Sequence, residues 1–393
     1  MDEHEHGGIG KAAATGIGLA AAAVGGVAIA GAGYAGRSAV KRSRAYAVTH
    51  HDEVHVFPFV TDKVQAVPAN DGVVLHVEVD EPEGWTPQTG PTVVLVHGFV
   101  LNLSSWVFQR RALVDAGYRV VSYDQRNHGA SQAGDLERCT IDQLGQDLRA
   151  VVDATTPDGE IVLVGHSMGG MTIMSFAGRY PELTRDRVRG VALIATSAGG
   201  DSLVHVGLGK MLDGVITRFG PGFLGGLGRR DGVWGGMRAA GRAVENRAIQ
   251  RYSFGTPMPK EMLRKLATMI FGTRLDAIGA FLPELDELDV RDSLPGLVDT
   301  PVLIVAGSKD VLTPPAHSQA LADALPAAEH VVVPGVGHLL QLERPGPVTD
   351  GILGLLERSR GEDAERDGIV LARDDHLEFV AAQPCDEALG CQP

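Results

Sequence analysis

Apolar residues run through the middle of this chain in two rhythms. From Gly72 to Asp80 (GVVLHVEVD) they alternate with polar ones, as in a strand with one buried face. Thr92 to Val96 (TVVLV), Ile161 to Val164 (IVLV) and Pro301 to Ala306 (PVLIVA) are unbroken apolar runs, which suit strands covered on both faces. Tyr118–Tyr123, Val188–Ala195 and His330–Val333 complete the strand set. Between them the period changes to that of helices: Ser104–Ala116, with Ser104 or Ser105 as cap, then Ile141–Ala154, Met168–Tyr180 and about Val348–Leu356. Strands alternating with helices predict right-handed crossovers, and so an α/β fold with a mostly parallel, doubly wound sheet.

The alternation stops between Asp201 and about Leu294, a stretch rich in Gly and Arg with helices expected near Met262–Met269 and Ala277–Leu282. Its place late in the sheet predicts a cap, or lid, over the carboxyl ends of the strands, where such sheets bind ligands. The pattern therefore divides the chain into an N-terminal segment (1–65), a main domain (66–358) with a cap insertion at about 201–294, and an acidic, flexible tail (359–393).

Residues 12–36 carry no charge, are built mainly from Ala and Gly, and are followed by Arg37, Lys41, Arg42 and Arg44. As a transmembrane anchor the segment is long enough to span a bilayer. Gly18 and Ala22 would then allow close helix approach, and the basic flank would place the main domain in the cytoplasm. A signal peptide cleaved after small residues such as Ala28 and Ala30 is a second reading, against the acidic residues that lead it. A soluble extension is the third. Membrane association through 12–36, secretion and a soluble cytoplasmic protein are the corresponding locations.

Of the 393 residues, 44% are hydrophobic, enough for a large core, and the net charge is −14. That balance argues against a nucleic-acid partner, because phosphate binding needs clustered Lys and Arg. Cys139, Cys385 and Cys391 make no disulfide framework, and the histidines show no metal-ligand spacing.

Gly165-His166-Ser167-Met168-Gly169 lies between the apolar run IVLV and a helical pattern, the context in which G-x-S-x-G lifts a serine out of a tight turn. Such a hydroxyl needs an adjacent base. His338 stands in a Gly-rich loop just after the strand ending at Val333, where it can reach the same sheet edge. Asp310 follows the strand PVLIV and is the expected acid that orients the imidazole, with Asp201 as its rival. The oxyanion donors expected are the amides of Met168, beside the serine, and Phe99, after TVVLV. His97 reads as a histidine that shapes its loop rather than as a base.

Together these residues resemble the α/β-hydrolase family of serine hydrolases, esterase- and lipase-like, over roughly Ala66 to Leu356. The motifs are HGF at 97–99, GHSMGG at 165–170, AGSKDVLTP at 306–314 and GVGHLLQLERP at 335–345. Asp124 to Ser131 looks like the family's D-x-R-G-H-G-x-S loop, except that Asn127 stands where Gly is usual, which puts the turn geometry in question. The resemblance implies an enzyme that needs no metal or cofactor. Members opening epoxides or haloalkanes carry an aspartate at the elbow, so Ser167 speaks against those activities. The expected reaction is hydrolysis of a carboxylic ester of a hydrophobic small molecule through an acyl-enzyme. The alternatives are C–C bond hydrolysis, perhydrolysis or acyl transfer by the same triad, and a catalytically silent, membrane-anchored binding protein.

Overall fold

The computed structural model describes residues 61–87, 89–200 and 249–359. Eight strands form one sheet: β1 (Lys63–Pro68), β2 (Val74–Asp80), β3 (Thr92–Val96), β4 (Val120–Tyr123), β5 (Ile161–His166), β6 (Val188–Ile194), β7 (Val302–Gly307) and β8 (Glu329–Val333). Their spatial order is β1-β2-β4-β3-β5-β6-β7-β8. β2 pairs antiparallel with both β1 and β4, and every pairing from β4 to β8 is parallel.

Every residue of β3, β5 and β7 is buried, because helices cover both faces. On one face Val94, Val96, Leu163 and Ile304 pack with α2 (Ile141–Thr155) and α3 (Met168–Arg179). On the other, Val93, Leu95, Val162 and Val305 meet α1 (Val107–Asp115) and, near the C-terminus of the described chain, a helix at Pro345–Ser359. Alternate residues of one strand thus feed two cores, which is why these strands read as unbroken apolar runs rather than as an alternation. The short α4 (Pro181–Arg187) leads into β6.

Between β6 and β7 the described part of the expected cap begins at residue 249 and contains α5 (Lys260–Gly272) and α6 (Leu275–Asp286). α5 turns Leu263, Leu266 and Met269 onto Leu101, Phe254, Leu339 and Leu342, so its apolar face sits on the loops after β3 and β8. After β7 come α7 (Pro315–Ala324), the single turn α8 (Leu340–Glu343) and the Pro345–Ser359 helix, numbered α9.

Several boundaries differ from the sequence expectation. The cap before α1 is Asn102, whose side chain accepts from the Ser104 amide, rather than Ser104 or Ser105. A short 3₁₀ turn, Leu103–Trp106, then precedes α1. β1 begins at Lys63, inside the stretch assigned to the N-terminal segment; only Val67 in it is fully buried, so it carries almost no apolar signal. α6 runs through Pro283, where the sequence pattern ended, to Asp286. No helix among the described residues is long and apolar enough to cross a membrane. Segment 12–36, Asp201, the apolar residues Phe219, Phe223, Leu224, Trp234 and Met237 of the expected cap stretch, and the tail from 360 on lie outside the described residues.

Candidate active site

In this sheet order the chain moves from β3 to β4 on one side and from β5 to β6 on the other. The connections after β3 and β5 therefore leave in opposite directions at the carboxyl edge, which marks the position of the crevice in which doubly wound sheets bind ligands. The β3 loop carries Phe99 and the β5 loop carries Ser167.

Ser167 sits between β5 and α3 at φ 52° and ψ −120°, a conformation that costs a non-glycine residue about 1–3 kcal/mol. Hydrogen bonds to the neighbouring strand end and loop hold it there. Its amide donates to Ile194 O (2.9 Å), and its carbonyl accepts from the Thr196 hydroxyl (2.7 Å). The turn demands glycine on both sides. A Cβ at Gly165 would lie 2.5 Å from Gly169 O, and one at Gly169 would strike Val96 O. The serine is the partly exposed residue of an otherwise buried turn, at the positive end of α3.

Across the edge, His338 Nδ1 lies 2.8 Å from Asp310 Oδ2. Asp310 is buried and uses both oxygens fully. Oδ1 accepts the amides of Leu312 (2.8 Å) and Thr313 (2.9 Å), and Oδ2 accepts the Thr313 hydroxyl (2.7 Å) beside the imidazole. Burial pushes this carboxyl up; the neighbouring His338 and the bonds from His338 and Thr313 outweigh it and hold the group below the usual aspartate value. His166, next to the serine, donates from Nε2 to the carbonyl of His338 (3.0 Å), and the two rings lie 4.8 Å apart. Among the described residues no hydrogen bond joins Ser167 Oγ to His338.

The β3 loop is fixed by buried side chains. His97 Nδ1 donates to Gly98 O (2.8 Å), and its Nε2 accepts the Gln125 amide (2.9 Å). Gln125 in turn donates to His97 O (2.7 Å) and accepts the Thr172 hydroxyl of α3 (2.9 Å). His128 Nε2 accepts the Val100 amide (3.2 Å), at a residue with φ 55°. His97 is thus a neutral scaffold group, its pKa lowered to about 3 by burial and by His128. The Phe99 ring meets His128 and Phe281 of α6 edge-on. Neither the Phe99 nor the Met168 amide donates a hydrogen bond among the described residues. No cluster of three His, Cys, Asp or Glu among them could hold a metal.

Asn127 adopts φ 64°, the left-handed region that glycine enters without strain. Its Oδ1 accepts the Gly134 amide (3.0 Å), so a short polar side chain keeps the turn that glycine makes elsewhere. Beside it Arg126, fully buried, forms ion pairs with Asp147 (2.6 Å) and Asp71 (2.9 Å).

The structure brings Asp310 and His338 into contact and sets Ser167, Met168 and Phe99 on the loops that flank the crevice. Sequence reasoning missed His166, Thr313, Gln125 and Glu343. All four lay inside quoted motifs, but nothing local marks a side chain whose partners are elsewhere in the chain.

A strained serine between strand and helix, on a sheet of this order, defines an α/β hydrolase. The chain belongs to the alpha/beta hydrolase family, whose profile matches residues 93–350. It is 29% identical over 282 residues (70% of this chain, 65% of the relative) to the dihydrolipoyllysine-residue acetyltransferase component of the acetoin cleaving system of Pseudomonas putida. It is 36% identical over 134 residues (34% of this chain, 35% of the relative) to epoxide hydrolase B of Mycobacterium tuberculosis. The chain thus spans less than two thirds of either relative. Among solved structures, a thermophilic esterase from Thermogutta terrifontis superposes with a TM-score of 0.57 at 28% identity, covering 76% of this chain and 99% of the esterase.

Proposed function

We propose that the protein cleaves a carboxylic ester of a hydrophobic small molecule through an acyl-enzyme. The observation that carries this reading is the buried Asp310–His338 pair on the same sheet edge as the strained Ser167. Because Nδ1 of His338 is engaged by Asp310, Nε2 is the nitrogen left to accept the Ser167 proton. Ser167 Oγ attacks the ester carbonyl, and the amides of Phe99 and Met168 hold the oxyanion. His338 returns the proton to the departing alcohol, and a water deprotonated by His338 then releases the acid. The Thermogutta esterase is consistent with this chemistry. A serine at the elbow speaks against the epoxide opening named for the mycobacterial relative, since members opening epoxides carry aspartate there.

The apolar composition of the expected cap stretch, with Phe219, Phe223, Leu224, Trp234 and Met237, supports a hydrophobic acyl or alcohol part. Each buried methylene contributes about 0.8 kcal/mol, so kcat/KM should rise about tenfold or more from acetyl to butyryl p-nitrophenyl esters. A fluorophosphonate should label Ser167 and abolish turnover. Absence of labelling in the folded protein would leave the silent binding protein as the better reading, and a flat chain-length series would favour C–C hydrolysis, perhydrolysis or acyl transfer.

A further inference from the structure

Glu343 ends α8, five positions beyond His338, and is buried. Its carboxylate accepts four hydrogen bonds. Oε2 takes the amides of Gly337 (2.8 Å) and Gly255 (3.0 Å), and Oε1 takes the amide and the hydroxyl of Thr256 (2.6 Å each). Gly337 immediately precedes His338. Gly255 and Thr256 belong to the strand of chain that returns from the cap insertion toward α5.

The same return segment is tied to the other side of His338, where the Leu339 amide donates to Ser253 O (2.9 Å). Backbone meets backbone in between. A Cβ on Gly337 would lie 2.6 Å from Gly255 N, and one on Gly255 would strike Gly335 O. Near Asp310, Gly307 is packed against the carbonyls of Val336 and Gly337 in the same way. The loop that carries the base, the loop that carries the acid and the cap's return segment therefore share one backbone junction, and Glu343 is its central acceptor. All four of its partners are donors, which suits a carboxylate. A glutamine of the same shape would turn an N–H₂ toward two of them.

We propose that Glu343 is a positioning residue that fixes the His338 imidazole by joining its loop to the cap's return segment, so that cap seating and base alignment are one event. It touches no substrate and acts through the Gly337 backbone. For its kinetic readout the proposal rests on the ester-hydrolase reading above; its spectroscopic readout does not.

The test is Glu343→Gln in the full chain. With p-nitrophenyl butyrate, kcat should fall by about tenfold to a hundredfold, as for a displacement near 1 Å at a reacting group, with KM changed much less. Fluorophosphonate labelling of Ser167 should slow in parallel. In the proton NMR spectrum the low-field resonance of the proton shared by His338 and Asp310 should broaden or disappear while the rest of the spectrum stays folded. Thr256→Ala removes only the hydroxyl donor and keeps every amide; it should show the same pattern more weakly and guards against a Glu343→Gln chain that does not fold. A folded Glu343→Gln protein with an unchanged low-field resonance overturns the proposal, as does a kcat within about twofold of the parent. If the parent itself neither turns over esters nor labels, the function reading fails instead, and the NMR comparison still decides the role of Glu343.

Discussion

At the scale of single residues, the hydrogen-bond count around Asp310 determines what a conservative change should do. Both oxygens accept, and every neighbour donates. Asp310→Asn must therefore aim its N–H₂ either at the Leu312 and Thr313 amides or at His338, and the second choice forces the imidazole into the wrong tautomer. A loss of about four orders of magnitude in kcat is expected, with the fold retained in circular dichroism; a loss under about tenfold would remove Asp310 from the assignment. Asn127 yields a different expectation. Asn127→Ala keeps a Cβ at φ 64° and loses the acceptor for the Gly134 amide, so it should cost about 1–3 kcal/mol in urea unfolding. Asn127→Gly relieves the strain and should cost less, and the reverse order would show that the side-chain bond outweighs the backbone. Ser167, Asp310 and His338 were legible because strand ends can be found from apolar runs, and residues just past them share an edge. Glu343 and His166 were not, since each bonds a backbone group far away in sequence or across the junction and leaves no local pattern.

At the scale of elements, α6 shows tertiary packing overriding a local rule. Pro283 removes one amide from the helix and crowds the turn before it, which costs roughly 3 kcal/mol in an isolated helix. The helix nevertheless continues to Asp286, because Phe281 and Leu285 are buried on its inner face and the Glu287 amide still closes on Pro283 O. A sequence reading that ends helices at proline stops at Leu282 for this reason. β1 escaped for the opposite cause: an edge strand with one buried residue offers no period to detect. Phe281 is also the contact by which α6 reaches the loop after β3, since its ring meets both Phe99 and His128. Phe281→Ala should destabilise by about 3–5 kcal/mol, visible as a fall in Tm of the order of 10 °C. It should also lower kcat well below the loss caused by a core truncation distant from Phe99. Equal kcat in the two variants would confine Phe281 to a packing role.

At the scale of the whole molecule, the loops of the crevice are organised around three buried neutral histidines, and this sets the acid limit of the fold. Burial first of all lowers His97 to about 3, His166 to about 3 and His128 to about 4. Geometry agrees, because Nε2 of both His97 and His128 accepts a backbone amide and has no room for a proton. In the unfolded chain each would titrate near 6.5. Between that value and the folded values the unfolded state binds more protons, so stability rises with pH; read downward, it is complete above about pH 6.5 and is lost as pH falls. Asp310, also depressed, works in the same direction but only below the ordinary aspartate range, near pH 4. Asp124 and Asp147, raised by burial, oppose the trend above that range, so the loss that begins as pH falls through about 6.5 is the histidines' share. Three protons give a limiting slope of about 4 kcal/mol per pH unit, against a total stability of roughly 5–15 kcal/mol. The urea midpoint should therefore be flat from pH 8 to 7 and collapse by about pH 5. His128→Gln can keep a donor to Arg126 O and an acceptor for Val100 N–H, and should reduce the slope by about one third while lowering stability at neutral pH. A midpoint that holds constant down to pH 5, or a slope unchanged in that variant, would mean that these imidazoles take up protons without unfolding the chain, and the crevice loops would have to open locally to admit them.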